Sequence, residues 1–326
     1  MTTHSTATAE AFANIALVKY WGKLERDGNY PAVPSLSLTL SGLRTVTRVT
    51  LTPELSDDVV YLDEMPTTGR PRERVVRLLD ELRTITGNAN RARVDSNNDF
   101  PTAAGLASSA SGFAALACAA NAAFGAPLSR EQQSAMARRA SASAARSLFG
   151  GFATLDVGAE SATELVGPEY WDLVLLVAVT TAGKKPIGST EAMNLTRATS
   201  PYYPAWVANA PALFSTAKQA VVGRDIEALG AAMEQSTLMM HATMHAATPA
   251  VIYQLPTTLA VIHEVRALRA AGTACFFTMD AGPHVKVLCE RSNAKTVRAR
   301  LEAIAGVCEV LEATPGPRAR ILDETP

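Results

Sequence analysis

Cysteine is scarce in this sequence of 326 residues: the 4 present, Cys118, Cys275, Cys289 and Cys308, are scattered. No Cys-x-x-Cys pair occurs, so the spacing offers neither a disulfide framework nor a zinc site. Three of these thiols lie in strongly apolar stretches, where a free cysteine packs as a small hydrophobe, which fits a reducing compartment. A surplus of one charge is also missing, with Lys+Arg 30 against Asp+Glu 31 and a formal net charge of -1. Binding a polyanion needs a local excess of positive charge, so no nucleic-acid partner and no polybasic membrane contact is expected. No uninterrupted apolar run reaches the roughly eighteen residues that suggest a membrane span. Residues 1–10 are polar and lack the charged-then-apolar layout of a secretory leader. The expectation is a globular protein of the cytoplasm.

The apolar fraction is 48% and the charged fraction 19%, enough for a sizeable core in one large domain or two of ordinary size. Residues 35–52 are rich in Val, Leu and Thr and read as strand. Residues 72–86 read as an amphipathic helix with Val75, Val76, Leu78, Leu79, Leu82 and Ile85 as its apolar stripe. A helix of small residues spans 106–124, and Ser129 with Gln132 makes a capping box for one running to about Ala140. Residues 173–180 form a continuous apolar run, as in a buried strand. Three or more helices follow over 204–271, broken at Gly223, Thr248–Pro249 and Pro256. Then come a strand (274–279), a turn at Asp280-Ala-Gly-Pro283, a strand (285–289), a helix (294–305) and a last strand (307–313). The order predicts an α+β fold with a soft boundary near residue 180, the halves sharing a cleft.

The stretch Asn98-Asp-Phe-Pro-Thr-Ala-Ala-Gly-Leu-Ala-Ser-Ser-Ala-Ser111 is the first that suggests chemistry. Small residues let loop N–H groups approach a phosphate, and the helix behind them adds unpaired N–H groups and a positive dipole end. The lysine-bearing Walker spelling is absent. Tight helix packing in an alanine-rich chain explains the stretch about as well. Arg146 stands alone in the otherwise uncharged residues 140–153. A guanidinium among small apolar residues needs an anionic partner, and its fork suits phosphate or carboxylate.

Four ordered segments resemble the GHMP small-molecule kinase superfamily and, in their full spelling, the mevalonate diphosphate decarboxylases. They are the loop above, Asn14-Ile-Ala-Leu-Val-Lys-Tyr-Trp-Gly-Lys23, Ala140-Ser-Ala-Ser-Ala-Ala-Arg-Ser-Leu-Phe-Gly-Gly-Phe152, and Phe277-Thr-Met-Asp-Ala-Gly-Pro283. Weaker echoes lie at 34–40, 184–193 and 240–243. The resemblance implies a GHMP kinase-like fold, with an N-terminal ribosomal-protein-S5-domain-2-like half (1–180) that binds ATP. A C-terminal ferredoxin-like half (181–326) would carry the catalytic aspartate, with a deep cleft between the two. It implies ATP-dependent decarboxylation of mevalonate 5-diphosphate to isopentenyl diphosphate, with Mg2+, in a homodimer.

By the same resemblance, Asp280 orients and deprotonates the substrate's tertiary hydroxyl, Lys19 sits beside it, and Arg146 faces carboxylate and phosphates. Substrate contacts fall on Tyr20, Trp21, Gly22, Lys23, Arg74, Ser141, Ala142, Ser143, Ala144, Ala145, Ser189 and Thr190. ATP contacts fall on Pro101, Thr102, Ala103, Ala104, Gly105, Leu106, Ala107, Ser108, Ser109 and Ser111, with Ser109 a candidate for phosphate-bound Mg2+. For Arg74, the neighbours Arg70, Arg72 and Arg77 are alternatives. The chain departs from the family spelling at Ala140, Ala142, Ala145, Ala192 and His284. His241 and His245, four apart, lack the glutamate and third ligand of a metal site and read as a core or surface pair. Two rival activities fit much of this pattern: a decarboxylase of mevalonate 5-phosphate, and a mevalonate kinase-type enzyme that stops at the phosphorylated alcohol. A catalytically inactive nucleotide-binding relative is a third reading, disfavoured by Lys19, Arg146 and Asp280 together.

Overall fold

The computed structural model describes residues 5–100, 108–181, 183 and 187–322. Two antiparallel-dominated sheets organise them. The first is built on two long strands, β1 (Thr6–Val18) and β2 (Ser35–Thr52), extended by β3 (Val59–Leu62), β4 (Met65–Pro66) and β5 (Arg91–Asn98). The strands β6 (Phe152–Leu155) and β7 (Thr163–Val166) branch from β2. Against one face pack α1 (Gly69–Thr86), α2 (Ser108–Ala123) and α3 (Arg130–Ala140).

Alanine is what lets α2 lie so close to the sheet. Ala110, Ala114, Ala115, Ala117, Ala119 and Ala120 are all fully buried. In α3 the expected capping box forms: the Gln132 N–H donates to the Ser129 hydroxyl, and the Gln132 side chain accepts from the Ser129 N–H. The helical stripe of α1 is narrower than its sequence suggests. Leu78, Leu79 and Leu82 are buried, whereas Ile85 is exposed.

The second sheet has the order β11-β8-β10-β9, from β8 (Leu173–Val179), β9 (Cys275–Met279), β10 (Val285–Glu290) and β11 (Glu309–Ala313). The helices of this part are α4 (Ser189–Thr199), α5 (Tyr203–Gly223), α6 (Ile226–His245), α7 (Pro256–Ala270) and α8 (Arg291–Glu302). Both β8 and β9 are almost wholly apolar; β9 is buried throughout and β8 up to its last residue, the partly buried Val179. Covered on both faces, such strands read as continuous hydrophobic runs. A short strand β12 (Arg320–Leu322) returns to pair with β1, so these residues belong to the first sheet.

One core joins the two parts. Ile15 and Leu17 of β1, and Leu36 and Leu38 of β2, pack with Leu173, Leu175, Met233 and Phe276. At about 1.5–3 kcal/mol for each fully buried aliphatic side chain, this shared core is enough to fix the halves relative to each other. It holds the ends of β1 and β9 side by side.

Candidate active site

Two of the expected residues, Lys19 and Asp280, meet where β1 and β9 end. The Thr278 hydroxyl contacts the Thr237 hydroxyl of α6 (3.0 Å) and donates to the Ala16 carbonyl of β1 (3.4 Å). The Lys19 N–H donates to the Ser236 hydroxyl of the same helix at 2.9 Å. Thus α6 pins both strand ends, and the next residues along each strand carry the site.

Asp280 opens the turn after β9. Its Oδ1 takes the Lys19 ammonium at 2.8 Å, and its Oδ2 lies 3.0 Å from the Lys286 ammonium of β10. Both lysines are 1% exposed, whereas the Asp280 side chain keeps 29% of its surface open. Burial opposes charge on the carboxylate, but the two lysines outweigh it and hold Asp280 well below the ordinary carboxylate range. Lys19 is pulled down by burial despite its partner. The result is an ionised carboxylate with an accessible face, gripped from behind by two buried cations.

Arg146 lies on a short 3-10 helix, Ala142–Leu148, that continues from α3. Its side chain is 1% exposed, and it donates to the hydroxyls of Ser35 (2.7 Å) and Ser37 (3.0 Å) at the start of β2. Among the described residues no carboxylate pairs with it within 4.0 Å. Burial depresses its pKa to about 10, so it stays charged at neutral pH. A buried cation costs several kcal/mol to desolvate. Two hydroxyl acceptors at roughly 1.5–3 kcal/mol each offset only part of this, and a bound anion would supply the rest.

A second cationic group lies further out. The Lys23 ammonium donates to Asn29 Oδ1 (2.8 Å) and contacts the Thr190 hydroxyl (3.5 Å). Arg74 of α1 donates from Nε to the Ala140 carbonyl at 2.9 Å, with Nη2 aimed at the same oxygen. Ser141 follows that carbonyl, and its hydroxyl is 3.3 Å from that of Ser143. Burial, then Arg74 and Arg70, push Lys23 down to about 8. Arg74 is therefore the arginine whose contacts join it to this group. Ser189 and Thr190, expected on a loop, form the first turn of α4.

Several expected residues turn inward. Trp21 is a core residue, packed with Met240, Tyr203 and Trp206, and its carbonyl accepts from Trp206 Nε1 at 2.8 Å. Ala144 and Ala145 are fully buried in the first core, so their side chains do not line the cleft. The Ser111 hydroxyl, expected among the ATP contacts, is buried against that of Thr45 (2.7 Å) and ties α2 to β2. Gly22 sits at φ +115, and a Cβ there would lie 2.0 Å from the Tyr203 hydroxyl, so this position has no room for a side chain. The Tyr20 hydroxyl is buried without a hydrogen-bond partner among the described residues, and burial raises its pKa. Ser108 and Ser109 begin α2, while residues 101–107 of the expected phosphate loop lie outside the described residues.

Other site residues went unnoticed in the sequence. Ser35 and Ser37 hold Arg146, and the visible signal was their alternation with leucine at the start of the strand residues. Lys286 was detectable as a lone charge inside Val285-Lys-Val-Leu-Cys289. His241 is buried on α6, its ring 6.2 Å from that of His245. Burial first, then Lys19 and His245, lower it to about 3, so it is neutral at working pH. Among the described residues no group of three His, Cys, Asp or Glu could hold a metal ion, and no helix is long and apolar enough to cross a membrane.

Known proteins resemble the chain along nearly its whole length. Residues 11–165 match the family described as Diphosphomevalonate decarboxylase-like N-terminal domain. Residues 175–316 match Mevalonate 5-diphosphate decarboxylase C-terminal domain. The diphosphomevalonate decarboxylase of Aspergillus fumigatus is 33% identical over 331 residues, covering 92% of this chain and 80% of that protein. The crystal structure of mevalonate diphosphate decarboxylase from Staphylococcus aureus superposes with a TM-score of 0.93 at 35% identity, covering 98% of this chain and 99% of that one. The structure of MDDEF in complex with MVAPP, AMPPCP and magnesium gives 0.90 at 38% identity, again over 98% and 99%.

Proposed function

The chain belongs to the diphosphomevalonate decarboxylase family, and from that premise we propose how its cleft performs the reaction. The activity is ATP-dependent decarboxylation of mevalonate 5-diphosphate to isopentenyl diphosphate, with ADP, phosphate and CO2 released. The observation that carries the assignment of roles is the Asp280 carboxylate, one face open and two buried lysines behind it.

Asp280 accepts the hydrogen bond of the 3-hydroxyl and aims its oxygen at the γ-phosphorus of ATP. Phosphoryl transfer depends mostly on such positioning and on charge stabilisation. The proton passes to the carboxylate as the oxygen–phosphorus bond forms. The tertiary C–O bond then breaks with phosphate as leaving group, the electrons of the bond to the carboxylate carbon become the double bond, and CO2 departs. Lys19 and Lys286 keep Asp280 ionised until the hydroxyl arrives. Arg146 takes the substrate's carboxylate and phosphate oxygens, while Lys23, Arg74, Ser141 and Ser143 hold the 5-diphosphate.

Residues 1–180 supply the nucleotide and phosphate contacts, and residues 181–326 supply Asp280. The related MDDEF binds MVAPP, AMPPCP and magnesium together. With no acidic cluster among the described residues, Mg2+ would be held through the phosphates and a hydroxyl such as that of Ser109. Bound there, it neutralises charge on the transferring phosphoryl group. The reading extends to a cytoplasmic homodimer, and sedimentation of the purified chain tests the dimer.

Release of ADP and CO2, measured side by side with mevalonate 5-diphosphate and mevalonate 5-phosphate, tests the whole. Equimolar ADP and CO2 from the diphosphate is expected, with Asp280→Asn losing at least about a thousandfold in kcat. Preference for the monophosphate, or ADP without CO2, would overturn it.

A further inference from the structure

We infer that Asn29 is a positioning residue that sets Lys23 against the C-terminal end of α3 and thereby tunes the site for a diphosphate over a monophosphate. The inference rests on the reading of Lys23 as a ligand of the 5-diphosphate.

The last carbonyls of a helix have no partner within it. At the end of α3 three of them are taken by side chains from elsewhere. Asn29 Nδ2 donates to the carbonyls of Arg139 (2.7 Å) and Arg138 (3.3 Å), and Arg74 donates to that of Ala140. The same Asn29 amide accepts the Lys23 ammonium on its oxygen at 2.8 Å. Carbonyls on one side and an ammonium on the other fix which end of the amide is which. Only a side chain with a donor and an acceptor a few ångströms apart can bridge them.

The backbone is shaped for the task. Residues 22–32 form a tight loop: the Leu24 N–H donates to the Tyr30 carbonyl (2.9 Å), and the Ala32 N–H to that of Gly22 (3.1 Å). Asn29 sits at φ 58 in that loop, a left-handed conformation that asparagine and glycine tolerate best. Tyr30 is stacked by Arg26 and Arg138, with guanidinium carbons 3.4 and 3.6 Å from its ring centre. The loop is thus rigid where it carries Asn29. Lys23 and Asn29 line a cavity of about 550 Å3 together with Asn194 and Arg197.

These contacts give α3's negative end two cations to direct, Arg74 by contact and Lys23 through Asn29. The amide oxygen and, at 3.5 Å, the Thr190 hydroxyl take two of the three ammonium protons and leave one for phosphate. Its carboxylate analogue would neutralise the lysine. Because Asn29 fixes the distance between Lys23 and the Ala140–Ser141 wall, it sets how far along the cleft a second phosphate is met.

Asn29→Gly keeps the left-handed backbone and removes the amide. Relative to the intact protein, it should raise KM for mevalonate 5-diphosphate about tenfold, with kcat within about twofold and KM for ATP unchanged. Its preference for diphosphate over monophosphate should shrink. In a Lys23→Met background the same change should add little, since the amide acts through the lysine. An unchanged KM in Asn29→Gly beside a raised KM in Lys23→Met overturns this inference alone. Full additivity of the two changes also overturns it, because Asn29 would then act through the fold. An unchanged KM in Lys23→Met overturns the phosphate-binding reading itself.

Discussion

Lys23 has no carboxylate partner among the described residues, and burial with Arg74 and Arg70 nearby pushes it down to about 8. Its charge is therefore lost in the free enzyme as pH rises through that value, whereas a bound diphosphate would hold the proton in place. A group that titrates free but not bound appears in kcat/KM and KM and not in kcat. KM for mevalonate 5-diphosphate should rise about fivefold between pH 8 and pH 9. In Lys23→Arg, which keeps its charge throughout that range, the rise should disappear. An equal rise in both proteins would remove Lys23 from the substrate site. At the acid end the sign is opposite. Asp280 sits below the ordinary carboxylate range, so its ionised form is present above the usual carboxylate pKa and lost only as pH falls through the lower folded value.

The contact between α6 and β9 shows how elements place these residues. Gly230 of α6 faces Phe276 of β9, and a Cβ at Gly230 would lie 2.0–2.4 Å from the ring. Phe276 is 3% exposed in the core that joins the two halves, so the ring has little room to give. Gly230→Ala should cost about 1–3 kcal/mol of stability in a urea melt. It should lower kcat more than KM, because Asp280 follows β9 directly, four residues beyond Phe276. Full stability and full kcat would mean that the helix–strand packing does not set the carboxylate.

Legibility follows the same physics. Residues 35–52, the α3 capping box and the apolar strands around Asp280 were readable because each has a local signal. By contrast the start of β1 was not, since every second residue of Thr6-Ala-Thr-Ala-Glu-Ala-Phe-Ala is an alanine, of weak strand preference and little apolar surface. Likewise β5 reads Arg-Ala-Arg-Val-Asp-Ser-Asn-Asn and hides its pairing in polar residues. Local signals also could not reveal that Lys286 and Lys19, 267 residues apart, close on one carboxylate.

Taken as a molecule, the chain is nearly neutral, with a formal net charge of -1, yet its charge is sorted. Lys19 and Lys286 close on one carboxylate, Asp280, while Arg146, Lys23 and Arg74 have no acidic partner among the described residues; elsewhere most arginines pair with acids. Concentrating cations in a partly buried cleft weakens the empty protein and strengthens its grip on phosphates, two faces of one electrostatic term. Lys23 illustrates the linkage. Its folded pKa of about 8 lies below its ordinary value of 10.5, so between these two the unfolded chain binds more protons and stability rises with pH. The empty protein is thus most burdened near neutrality, where the ligand is also held most strongly. Mevalonate 5-diphosphate at about a hundred times its Kd should stabilise the fold by roughly 2.7 kcal/mol, read as a rise of a few degrees in Tm. At fixed ligand concentration that rise should be smaller at pH 9 than at pH 7, because Lys23 has lost its charge in the free state. A ligand-induced shift that is equal or larger at pH 9 would show that the cleft does not bind its substrate through cations of lowered pKa.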